Sequence, residues 1–135
     1  MGAGLRSCMA QMRDVMCAHL GPGKGAAAIA PLLRRYLSSA HRDHPEVGYP
    51  IPAVLSEAAG AVEPVRDALC DEFEGHLRVL TEHLEGKPAS RRRQALATLA
   101  LMYGGLAMAR AVKGSPLSEE ILEACREHGR AALER

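Results

Sequence analysis

The feature that most constrains this sequence is a segment of fifteen residues without a single charge. Residues 95–109 read ALATLALMYGGLAMA, and they are flanked by Arg91, Arg92, Arg93 and Arg110. A membrane span needs roughly 20 apolar residues, so the segment is too short to cross a bilayer. A helix that is apolar all round must be buried all round. We therefore expect one face of this helix in the domain's own core, and a second subunit is the simplest cover for the other face.

Two glycines lie in the middle of this helical segment. Gly104 and Gly105 each cost about 1 kcal/mol of helix stability relative to alanine. Such a cost is easier to understand where a neighbouring backbone or a ligand approaches closely. Tight packing inside the chain is the alternative explanation, since protein cores are close-packed.

The composition favours a helical domain. The chain has 135 residues, of which 47% are hydrophobic, but only one is Phe, three are Tyr and none is Trp. The apolar content is therefore Ala, Leu, Val and Met, which suit helices better than strands. The length fits one domain over residues 1–135. The net charge of +1 gives no global basic field that would argue for nucleic-acid binding.

Apolar residues recur with helical spacing along most of the chain, and no stretch alternates for long enough to predict a strand. Pro31 indicates that the second helix either starts near Ala30 or kinks at the proline. Ser90 is a plausible N-cap, and Ser115 with Pro116 marks the start of the last helix. The pattern predicts about six helices: 4–20, Ala30–Ala40, a short helix Pro52–Gly60, Pro64–Leu84, Ser90–Val112, and Pro116 to the C-terminus.

No motif in the sequence carries chemistry. The first residues lack the apolar run of a signal peptide, and the four cysteines show no zinc-site spacing, so we expect reduced thiols in a cytoplasmic protein. His41 and His44 have no third and fourth metal ligand at matching spacing, so no metal and no cofactor is predicted. No nucleophile elbow, phosphate loop or paired carboxylates are present, and an enzyme is not expected.

His76 lies on the apolar face of the predicted helix 64–84. It is either a core histidine with one hydrogen bond or a residue that contacts a ligand in a cavity. Glu72, four residues earlier, could pair with it.

The order of these parts resembles the C-terminal regulatory domain of TetR-family transcriptional regulators. The resemblance lies in a succession of sequence segments that together cover most of residues 30–130. They are YLSSAHRDHPEVG, GYPIPAVLSEAAG, EPVRDALCDEFEGHLRVLTEHL, ALATLALMYGGLAMARAV and SPLSEEILEACR. It is a pattern of helices and short phrases, without a catalytic signature.

The resemblance implies an all-α bundle of about six helices that forms a homodimer through its last two helices. It also implies a cavity in each subunit for a small, mostly apolar effector. The residues expected to line the cavity are Leu33, Tyr36, Phe73, His76, Leu77, Leu80, Met102 and Tyr103. The residues expected at the dimer interface are Leu101, Gly105, Met108, Ile121, Cys125 and His128.

The chain departs from this family at its beginning. TetR-like proteins start with a helix-turn-helix domain that reads DNA, and residues 4–20 resemble the helix that follows that domain. We therefore expect either part of a longer regulator or a protein that never carried the DNA-binding domain. In both cases DNA contact would come only through the missing domain, and no membrane partner is expected. The alternative function is a stand-alone helical interaction protein that pairs with another regulator.

Overall fold

The computed structural model describes residues 2–44, 60 and 62–134, with side chains described from residue 6 onward. The described residues form helices and turns, and no strand. The helices are α1 (Gly2–His19), α2 (Ala26–Tyr36), α3 (Ser39–Asp43), α4 (Glu63–Thr81), α5 (Pro88–Ala111) and α6 (Pro116–Ala132). The all-helical prediction is confirmed for this part of the chain. The predicted short helix Pro52–Gly60 lies outside the described residues, apart from Gly60 in a turn.

Helix α2 begins earlier than predicted and continues through Pro31. Proline has no N–H to donate to the carbonyl of Ala27, four residues earlier. The chain before the helix fills the space beside that turn: the N–H of Gly21 donates to the Ala28 carbonyl over 2.8 Å. A Cβ on Gly21 would lie 2.6 Å from the Ala27 oxygen, so this approach requires glycine.

Helix α5 begins at Pro88, and the prediction that Ser90 caps it was wrong. Lys87 occupies the cap position and makes no side-chain hydrogen bond to the helix. The fixed φ of Pro88 at the first helical position suits the start of a helix, and its missing N–H costs nothing there. At the last helix the prediction is confirmed, because the Ser115 side chain accepts a hydrogen bond from the Leu117 N–H at 3.2 Å.

The two last helices, α5 and α6, pack against each other in opposite directions. The Ser118 hydroxyl donates to the Ala109 carbonyl over 2.7 Å near the connecting turn. One turn further along, a Cβ on Gly105 would meet the Cys125 sulfur at 2.9 Å. At the far end, a Cβ on Gly129 would meet Leu101 at 2.8 Å. Small residues on both helices therefore let the two backbones approach closely.

The core lies between these helices and α1, α2 and α4. Met9, Met12 and Met16 of α1 are buried along one stripe and belong to the same apolar cluster as buried residues of α2, α4 and α5. None of the helices in the described ranges has the length and apolar character needed to cross a membrane.

Candidate functional site

Four of the residues predicted to line a cavity form one cluster of rings. The Tyr103 ring centroid lies 6.1 Å from that of His76, 6.4 Å from that of Phe73 and 5.8 Å from that of Tyr36. Helix α2 contributes Tyr36, α4 contributes Phe73 and His76, and α5 contributes Tyr103. The structure brings these four residues together, and their contact with a ligand stays a prediction.

His76 is fully buried and both of its ring nitrogens are hydrogen-bonded. Its Nε2 lies 2.7 Å from the Met9 carbonyl oxygen, which can only accept, so Nε2 carries the proton and donates. In the neutral ring Nδ1 then accepts from the Tyr103 hydroxyl, also at 2.7 Å. Burial lowers the pKa of His76, and the hydrogen bond to Met9 opposes that shift. The result is a neutral chain from Tyr103 through His76 to the backbone of α1.

Glu72 does not pair with His76. Its carboxylate lies 3.4 Å from the Arg13 guanidinium and 3.8 Å from that of Arg6. Arg13 reaches it across Gly75, where a Cβ would lie 2.7 Å from an Arg13 nitrogen. Gly75, in the sequence Glu-Gly-His, leaves room for this contact, because any side chain there would displace Arg13.

The other residues predicted to line a cavity belong to the packed core. Less than a tenth of each side chain is exposed, and none of them lines the cavity between α1, α2 and α3: Leu33, Leu77, Leu80 and Met102.

A cavity lies where α1, α2 and α3 meet. It has a volume of about 510 Å³ and a mostly apolar surface. Of the eight predicted ligand residues only Tyr36 lines it. The described residues that form its wall are Met12, Val15, His19, Leu32, Arg34, Arg35, Tyr36, Ser38, Ala40, His41 and His44. His41 and His44, the two histidines considered above as possible metal ligands, both line this cavity. The described ranges contain no group of three or more side chains that could hold a metal ion.

Tyr36 is the buried polar group of this cavity wall. Its hydroxyl has no hydrogen-bond partner among the described residues. Its carbonyl accepts a hydrogen bond from His41 Nδ1 at 2.7 Å, and the two rings meet edge to face with centroids 4.7 Å apart. Burial raises the pKa of Tyr36, so the phenol stays protonated and can donate. The contact of His41 with the end of α2 holds α3 against the cavity.

The residues predicted for the dimer interface divide into three groups. Met108 and His128 are exposed, and Leu101, Ile121 and Cys125 are half-buried. Gly105 is buried inside its own chain, against Cys125 and Leu37. It therefore belongs to the packing between α5 and α6, and the exposed glycine of the pair is Gly104, with open space beside it.

An uncharged strip runs along the solvent side of α5. Its members fall within about a third of the helix circumference, given 3.6 residues per turn. They are Leu96, Ala97, Ala100, Gly104, Met108 and Ala111, all exposed. A second uncharged strip on α6 comprises Leu117, Ile121, Ala124 and His128. Because the two helices pack in opposite directions, helix geometry puts both strips on the same side of the pair. We call the two strips together the outer face.

No protein-family model matches this chain, and no curated protein is significantly similar to it. The resemblance to TetR-like regulators therefore stays a prediction from the residues.

Proposed function

We propose that this chain is the ligand-sensing and dimerisation domain of a TetR-like regulator. The outer face of α5 and α6 is the observation that carries the proposal. It would bring together two copies of the chain, each contributing α5 and α6 to a bundle of four helices. In a relative with a DNA-reading domain, such a dimer sets the distance between two recognition helices.

The composition of the outer face supports pairing with another helical surface. Between Gln94 and Arg110 the helix α5 carries no charge on any side, although one side faces solvent. Met108 is 59% exposed and Leu96 is 46% exposed. Contiguous apolar surface of this kind marks protein interaction sites. The small residues between Leu96 and Met108 would let a second helix approach closely.

The deciding experiment is the oligomeric state of the chain by sedimentation equilibrium. We expect a dimer for the wild type and a monomer for Met108→Glu, because the substitution buries a carboxylate without a partner in the four-helix contact. Val62→Glu is the matched control. It places the same charge on another exposed apolar residue, 69% exposed and outside the outer face.

A wild-type chain that sediments as a monomer at every accessible concentration would contradict the homodimer. A dimer that Met108→Glu and Val62→Glu weaken equally would contradict the placement of the interface. In the first case the outer face is still available to a different helical partner, which is the alternative function.

A further inference from the structure

We propose that the cavity between α1, α2 and α3 binds a small organic anion with an apolar body, of the class of medium-chain carboxylic acids. Its role as an effector rests on the proposed function, but the binding itself does not.

Among the described residues of the cavity wall, the only permanently charged side chains are those of Arg34 and Arg35, both exposed, and none is Asp or Glu. Within the part of the chain that the structure describes, neither arginine forms an ion pair or a side-chain hydrogen bond, in contrast to Arg42 and Arg92, which bind carboxylates. Arginine forms strong charge-assisted hydrogen bonds with carboxylates, often two at once. A ligand with a negative end would therefore find two uncommitted guanidinium groups at this cavity.

The rest of the wall suits a hydrocarbon body. Met12, Val15, Leu32 and Ala40 make most of its surface apolar. The volume of about 510 Å³ falls within the roughly 300–1,000 Å³ that is typical of small-molecule sites. A purely polar anion such as phosphate would leave this apolar surface uncovered.

Tyr36 belongs to the cavity wall, but its hydroxyl has essentially no accessible surface and no hydrogen-bond partner among the described residues. The hydroxyl therefore does not face the cavity, and a ligand would be held by the two arginines and the apolar wall.

The position of Arg34 and Arg35 has another explanation, because both lie in the last turn of α2, where a cation interacts favourably with the helix dipole. That explanation predicts no selectivity of the cavity between ligands. The experiment therefore compares ligands of one shape and different charge.

We would titrate the ¹⁵N-labelled chain with decanoate, 1-decanol and decylammonium, and follow the amide signals of α1, α2 and α3. We expect decanoate to bind at least about tenfold more tightly than decanol, given the strength of charge-assisted hydrogen bonds. Decylammonium should bind more weakly than either. Arg34→Gln with Arg35→Gln should lower decanoate affinity to that of decanol and leave decanol binding unchanged, which also shows that the variant is folded. Tyr36→Phe should leave decanoate binding unchanged, because the hydroxyl that it removes does not face the cavity.

Arg66→Gln with Arg93→Gln is the matched control. Both arginines are exposed, neither lines the cavity, and the change in net charge is the same. Equal affinities for decanoate and decanol, an equal loss in both double variants, or no binding of any of the three probes would overturn the proposal. Sedimentation separates this outcome from a failure of the proposed function. A chain that dimerises but binds no decanoate would contradict only the proposed ligand. A chain that binds decanoate without a change in dimer affinity would contradict only the proposed role of the ligand as an effector.

Discussion

Tyr36 and Tyr103 are neighbouring buried tyrosines whose hydroxyl groups have opposite situations. The Tyr103 hydroxyl donates to His76, while that of Tyr36 has no partner. The sequence analysis expected both residues in the wall of one ligand cavity, as the resemblance to TetR-like regulators implies. It could not show which hydroxyl is satisfied, since that depends on an imidazole from a third helix and on the backbone of a fourth.

We expect Tyr103→Phe to destabilise the protein and Tyr36→Phe to leave its stability nearly unchanged or slightly raised. The first change removes the donor to buried Nδ1 of His76, which costs about 1–3 kcal/mol of unfolding free energy. The second removes a hydroxyl that already lacks a partner. Urea unfolding of the two variants and the wild type measures the difference, and equal losses would refute the hydrogen-bond assignment.

The neutral state of His76 gives the protein a stability that depends on pH. Burial lowers the pKa of His76 in the folded chain below its ordinary value of about 6.5. The unfolded chain then binds more protons in this range, so stability rises with pH. The contribution is complete above the unfolded pKa and is lost progressively as the pH falls below it.

We therefore expect the unfolding free energy to fall between pH 7.5 and about pH 5.5, by the linkage of protonation and folding. NMR titration of the His76 ring identifies the group responsible, because burial also lowers the pKa of His41. A His76 ring that becomes protonated at or above its ordinary pKa would contradict this prediction.

At the scale of the helix, the sequence predicted the long elements and misjudged their ends. Apolar periodicity fixes which segments are helical, because an amphipathic stripe needs a core to cover it. The end of a helix depends on single contacts instead. Helix α2 begins before Pro31, where the Gly21 N–H contacts its first turn, and α3 is separate from α2 because Ser38 caps it, its side chain accepting from the His41 N–H at 3.1 Å. The sequence contains these residues but not the contacts.

The adjacent glycines of α5 show how one step along a helix changes the role of a residue. We expect Gly105→Ala to destabilise the chain by about 1–3 kcal/mol, the usual cost of overpacking, since the new Cβ would meet Cys125 at 2.9 Å and Leu37 at 3.2 Å. Gly104→Ala adds its methyl group in open space and should stabilise the helix by up to about 1 kcal/mol. Thermal unfolding of the two variants measures the change in stability. If both variants were stabilised, or both destabilised, α5 would be rotated from the position described above.

At the scale of the molecule, the uncharged segment of α5 indicated a second surface before any contact was known. That inference needed only the absence of charge around a whole helix. The location of the cavity between α1, α2 and α3 could not be inferred in the same way. Its wall combines residues of these three helices with Ser38 and His44, so it depends on turns whose geometry the residue pattern leaves open.

The four cysteines offer a test of the whole assembly, since they lie on different surfaces. None forms a disulfide; Cys17 and Cys70 are exposed, whereas Cys8 and Cys125 are half-buried. Burial raises the thiol pKa of both Cys8 and Cys125, so each should react slowly with a thiol reagent.

Only Cys125 lies beside the outer face. If two copies meet there, the reaction of Cys125 with the thiol reagent should slow further as the protein concentration passes the dimer dissociation constant. The reaction of Cys8 should not slow. Variants that retain only Cys125 or only Cys8, with serine at the other three positions, allow each rate to be followed alone. A Cys125 rate that does not vary with concentration while the chain is shown to dimerise would place the partner on another surface.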